Sequence, residues 1–116
     1  VHFVENMYDE ICVLTVKGNL VQKEDTDKLQ ERIIHILGGN ISKIVIDLKN
    51  VGMITSLGIG GLIRGLRTTR EKKGELKLSG VNASVRKVFT ITKLNEIIDM
   101  YDTHDEALKS FSELAD

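Results

Sequence analysis

At 116 residues, 41% hydrophobic and 28% charged, the chain has the size and make-up of one soluble globular domain and no room for two, so residues 1–116 are expected to form a single unit. Its 16 basic and 17 acidic residues leave a net charge of −1, and three Phe, two Tyr and no Trp give few stacking surfaces, which argues against direct nucleic-acid binding. Cys12 is the one cysteine, so no internal disulfide can form; His2, His35 and His104 lack metal-ligand spacing, and no apolar run approaches the roughly 20 residues of a membrane span.

The first residue is Val1, not Met, as in a chain trimmed or excised from something longer. No secretory leader is expected, and the expected location is cytoplasmic. Val1–Glu5 and the β-branched run Ile11–Val16 are expected to pair as a hairpin through a turn over Met7–Glu10, with Gly18-Asn19 ending the second strand. Cys12 falls inside that run and reads as a small buried residue.

From about Glu24 to Leu37 the periodicity changes. Leu29, Ile33, Ile36 and Leu37 recur at i, i+4, i+7 and i+8, one face of a helix that Gly38-Gly39 closes. Ile41–Leu48 is apolar nearly throughout its middle, as in a central strand covered on both faces. Leu57–Lys72 is expected to be helical and to bury Ile59, Leu62, Ile63 and Leu66, with Gly74 beyond its end.

Leu76–Leu78 reads as a short strand. Asn82 or Ser84 can cap a third helix that buries Val85, Val88 and Phe89, and Ile97–Tyr101 reads as the last strand. Thr103 and Glu106 have capping-box spacing at the start of a final helix carrying Leu108, Phe111 and Leu114 or Ala115. The order β-β-α-β-α-β-α-β-α defines an α/β fold: a mostly parallel mixed sheet with an N-terminal antiparallel hairpin and four helices.

Chemistry concentrates between Asp47 and Ile63. Thr55 and Ser56 stand just before the second helix, at the strand end where open α/β sheets bind ligands and partners. Ser56 can act as an N-cap, worth about 1 kcal/mol. The functional alternative is that it accepts a phosphate, whose charge the first helical N–H groups would hold.

Gly58, Gly60, Gly61 and Gly65 weaken this helix by roughly 0.8–1 kcal/mol each relative to alanine. Two explanations stand open: close packing inside the domain, or a partner approaching the bare helix between Leu57 and Arg64. Gly58-Ile-Gly-Gly does not extend to G-x-G-x-x-G because position 63 is Ile63, and no P-loop occurs. Ser56 lacks a G-x-S-x-G setting and a nearby base. Neither an enzyme nor a cofactor is expected, and a small phosphate-binding or flavodoxin-like domain is the least supported reading.

Asp47-Leu48, the segment Ile54-Thr55-Ser56-Leu57-Gly58-Ile59-Gly60, Gly18-Asn19-Leu20 and the Thr103–Leu108 helix start together resemble STAS domains, specifically bacterial anti-sigma factor antagonists, over essentially the whole chain. The resemblance implies a protein that, unphosphorylated, binds an anti-sigma factor that is also a serine kinase of the GHKL type, and so frees a sigma factor. It implies phosphorylation that breaks the complex and a phosphatase that resets it, regulating transcription without direct DNA contact.

Aligned on the family's usual Asp-Ser-Ser/Thr-Gly motif, the phosphoacceptor falls on Ser56, with Thr55 a minor alternative. Thr55 stands where the family usually has Asp, Leu57 where it has Ser or Thr, and Val21 where an Asp often follows Gly-x-Leu. The expected interface runs along the helix start from Thr55 to Arg64, with Ser56, Leu57, Gly58 and Gly61, and includes the neighbouring loop Asn19–Lys23, with Asn19, Leu20 and Val21. The alternative is a non-switching STAS interaction or scaffold module of a larger signalling complex.

Overall fold

The computed structural model describes residues 1–114. Strands β1 (His2–Tyr8) and β2 (Ile11–Lys17) are followed by helix α1 (Lys23–Gly38), strand β3 (Lys43–Asn50) and helix α2 (Ser56–Glu71). Strand β4 (Glu75–Ser79), helix α3 (Ala83–Ile91), a 3₁₀ turn (Leu94–Glu96), strand β5 (Met100–Tyr101) and helix α4 (His104–Leu114) complete the order. The sheet runs β1-β2-β3-β4-β5, antiparallel between β1 and β2 and parallel elsewhere.

Because each parallel strand lies beside its predecessor in the same direction, right-handed crossovers place α1, α2 and α3 on one face. The central strands therefore carry two buried sides. Cys12, Leu14 and Val16 of β2, Ile44, Ile46 and Leu48 of β3, and Leu76 and Leu78 of β4 meet Leu29, Ile33, Leu62, Leu66, Val85 and Phe89 in the main core. Ile11, Val13 and Val45 face the other way and are covered by Ala107 and Phe111 of α4.

That second face is partly polar. Lys77 is 1% exposed; its Nζ donates to Ser110 Oγ at 2.7 Å and lies 4.4 Å from the Phe111 ring centre. The hairpin turn tightens to Asp9-Glu10, with Asp9 in the left-handed region (φ 57), so β1 extends three residues past its expected end at Glu5. The Asp25 carboxylate accepts N–H bonds from Gln22 (3.0 Å) and Val21 (3.2 Å), fixing the start of α1. Asn82 Oδ1 accepts from the Val85 N–H at 2.9 Å, so Asn82 and not Ser84 caps α3. Thr103 Oγ1 accepts from the Glu106 N–H at 3.2 Å, as the capping spacing predicts.

The expected strand Ile97–Tyr101 is corrected. Leu94 and Ile98, four residues apart, are both 1% exposed, whereas Ile97 is 45% exposed. That is the spacing of a helical turn, not of a strand, and β5 keeps only Met100 and Tyr101 beside Leu78 and Ser79. Ile63, Val88 and Leu108, expected to be buried, are half-buried and pack against the edges of the two clusters. The expected packing of Leu114 or Ala115 lies outside the described side chains.

Candidate functional site

The loops leaving β2 and β3 emerge side by side from neighbouring parallel strands and are bonded to each other. Asn19 Oδ1 accepts the Met53 N–H (3.1 Å), Leu20 N–H donates to Met53 O (3.1 Å), and Thr55 N–H donates to Leu20 O (3.1 Å). Leu20 and Ile54 form a parallel bridge, with both side chains buried beneath the rim. Buried loop amides need such partners, and pairing with each other gives both loops one fixed shape.

Helix α2 starts from this rim. Thr55 occupies the N-cap position with extended backbone (φ −107, ψ 178), yet its hydroxyl does not cap the helix; it donates to Val21 O at 3.1 Å. Ser56 is the first helical residue and is exposed. The reading of Ser56 as the N-cap is thereby corrected. Among the described residues its hydroxyl has no hydrogen-bond partner, and it stands where helical N–H groups lack intrahelical acceptors.

The four glycines separate into two kinds. A Cβ on Gly58 would overlap the Leu20 carbonyl oxygen and lie 2.6 Å from Ile54 Cγ1; on Gly61 it would lie 2.6 Å from Thr26 Cγ2; on Gly65, 2.6 Å from Ile33 Cδ1. These three let α2 lie close against α1 and the β2–α1 loop. Around Gly60 nothing lies within 4 Å. Packing within the domain accounts for three glycines and leaves one without a reason inside the chain.

Asn19, Val21, Thr55, Ser56 and Leu57 thus share one rim, while Leu20, Gly58 and Gly61 are buried behind it. Arg64 lies two turns down α2 and turns toward α1, its Nη2 donating to Asp27 Oδ1 (3.2 Å) and Thr26 O (3.3 Å). Hydrogen bonds from Lys23 and then from Arg64 hold the Asp27 carboxyl below its ordinary range.

Met53, 58% exposed beside Leu57 at 55%, joins the rim as a large apolar side chain. It was not singled out from the sequence, where an apolar residue in a loop after Gly52 was the available signal. Asp47, 2% exposed, sits at the end of β3. It accepts the Lys49 N–H at 3.0 Å and lies 3.6 Å from His104 Nδ1 and 3.8 Å from Lys49 Nζ. The start of α4 thus lies against the strand end. Among the described residues no group of three His, Cys, Asp or Glu could hold a metal ion, and no helix is long and apolar enough to cross a membrane.

Fold and site together describe a small α/β domain with a rigid apolar rim and a free hydroxyl at a helix start. The STAS domain family matches residues 4–107, and the chain belongs to that family. A candidate anti-sigma factor antagonist of Thermotoga neapolitana is 33% identical over 73 residues, 63% of this chain and 65% of that protein. The match therefore spans a little under two thirds of that relative's length.

The crystal structure of a candidate anti-sigma factor antagonist from Thermotoga maritima superposes with a TM-score of 0.85 at 25% identity, covering 93% of this chain and 92% of that one. SpoIIAA of Bacillus in its phosphorylated form shares the fold, with a TM-score of 0.71 at 22% identity over 95% of this chain and 99% of that one.

Proposed function

We propose that this chain is a cytoplasmic anti-sigma factor antagonist that acts by binding, not catalysis, and is switched off by phosphorylation of Ser56. The observation that carries the reading is the state of the Ser56 hydroxyl: exposed, unbonded, and first in α2 at a rim carrying Met53 and Leu57. Its partner is an anti-sigma factor with a GHKL-type serine kinase fold, and a phosphatase restores the binding form. The rim of Asn19, Val21, Thr55, Ser56 and Leu57 supplies the contact, with Leu20, Gly58 and Gly61 setting its shape from behind.

A phosphate on Ser56 adds roughly −1.5 to −2 charges beside the positive helix end. The fold tolerates that charge, whereas a partner seated on the rim would have to desolvate it. Engagement of the Thr55 hydroxyl with Val21 O favours Ser56 over Thr55 as acceptor.

The test uses immobilised wild-type and Ser56→Asp protein exposed to native lysate with ATP or ADP. Retention of a GHKL-type kinase by wild type and its loss from the variant is the expected result. Equal retention by both supports the second reading, a non-switching scaffold module, which the non-acidic neighbours Thr55, Leu57 and Val21 favour.

A further inference from the structure

Ser56, Gly60, Ile63, Arg67 and Arg70 follow one another at i, i+4, i+7, i+11 and i+14, a single stripe along α2. Ser56, Gly60, Arg67 and Arg70 are exposed, and Ile63 is half-buried. Toward its C-terminal end the stripe opens into a groove of about 490 Å³ lined by Ile63, Leu66, Arg67, Arg70, Glu71 and Ile97. The groove is apolar at its base and cationic at its rim.

Arg70 forms one wall, its Nε bonded to Glu75 at 3.2 Å and its Nη2 to Ile97 O at 3.4 Å. Arg67 has no ion-pair partner among the described residues. Glu71 is the sole acidic residue of α2, against Arg64, Arg67 and Arg70.

We propose that this groove is a second docking point for the partner, taking an amphipathic helix whose apolar side chain enters between Ile63 and Ile97 with carboxylates beside it facing Arg67. The inference rests on the proposed function and deepens it. Bare Gly60, with open space where a side chain would stand, lets a partner backbone cross α2 closely between the rim and the groove.

At 1.5 Å per residue Ser56 and Arg67 are about 16 Å apart, roughly two Debye lengths at physiological salt. Phosphate at Ser56 therefore acts on the rim and leaves the groove contact nearly unchanged. The groove adds a weak contact that persists, and loss of the rim contact is what separates the partner.

The probe is a labelled peptide of about 18 residues, long enough to form a helix, with leucines at i, i+4 and i+7 flanked by glutamates. A control carries lysine at each glutamate. Binding is followed by fluorescence anisotropy and amide-shift mapping on the wild type, Arg67→Glu, Gly60→Leu and Ser56→Asp; all three substitutions lie on exposed positions. The glutamate peptide should shift the Ile63, Arg67 and Ile97 amides and bind about tenfold or more tighter than the lysine peptide. It should weaken at least about tenfold in Arg67→Glu and in Gly60→Leu, and no more than about threefold in Ser56→Asp.

Equal binding of both peptides, shifts mapping elsewhere, or an Arg67→Glu protein that binds normally would overturn the proposal. So would a concentration-dependent dimer abolished by Arg67→Glu, which would assign the groove to a second copy. Failure of Ser56→Asp to release the kinase would strike the switch alone, because the peptide result does not depend on it.

Discussion

Gly60 and its neighbours separate two uses of the same residue type. Gly60→Ala meets open space and should raise stability by about 0.8–1 kcal/mol in urea unfolding. Gly58→Ala drives a methyl into the Leu20 carbonyl, a backbone atom fixed by the loop pairing, and should lower stability by about 1–3 kcal/mol. Equal responses at the two positions would remove the distinction between packing glycine and surface glycine. The sequence displayed all four glycines and their helical spacing, but not which of them faced α1. That depends on how α1 and α2 approach one another.

Cys12 offers a second residue-level test. Burial first, and the Glu5 carboxylate second, push its thiol from 9.0 up to about 11. In the unfolded chain it ionises at its ordinary value, so the stability tied to the neutral thiol is intact below about pH 9 and falls as pH rises toward 11. Iodoacetamide at pH 8 should alkylate Cys12 only at the rate of unfolding. Fast labelling of the native protein would show that the β2 core is open.

Among the elements, α4 covers the second, partly polar face of the sheet and is held by an unusual pair. Ser110 Oγ accepts from the buried Lys77 ammonium and donates to Ala107 O at 2.6 Å. Ser110→Ala leaves that ammonium without its hydrogen-bond acceptor and should cost about 1–3 kcal/mol. Lys77→Met removes the charge, keeps the bulk and should be near neutral. A loss in Lys77→Met as large as in Ser110→Ala would mean that the charge itself stabilises the docking of α4.

Elements with strong periodicity were legible. The Leu29-Ile33-Ile36 stripe located α1, and the apolar run Ile44-Val45-Ile46 located a doubly covered strand. The stretch after α3 was not, because Ile97-Ile98 reads as β-branched strand. Burial of Leu94 with Ile98 decides the local turn, and that requires the tertiary core.

At the scale of the whole molecule, the sheet and both hydrophobic layers are complete without the Ser56 hydroxyl. A charge at this position should therefore change binding and not folding: Ser56→Asp should unfold in urea within about 0.5 kcal/mol of wild type. A larger loss would indicate that the hydroxyl supports the helix start after all. The location of the rim was readable from Thr55 and Ser56 at a strand-to-helix junction. Its rigidity was not, since it arises from hydrogen bonds between loops 34 residues apart, such as that from the Met53 N–H to Asn19 Oδ1.

In the proposed switch, phosphate on Ser56 separates this domain from its partner while the fold stays intact. The most direct measurement is calorimetric titration of the GHKL-type anti-sigma kinase with unphosphorylated and Ser56-phosphorylated protein, with amide spectra recorded on both forms. Binding should weaken by at least about 100-fold after phosphorylation, as expected when a charge must be desolvated against a closed interface, with amide shifts confined to the rim. Equal affinities for the two forms would contradict it and leave Ser56 as an exposed helix-start residue with no switching role.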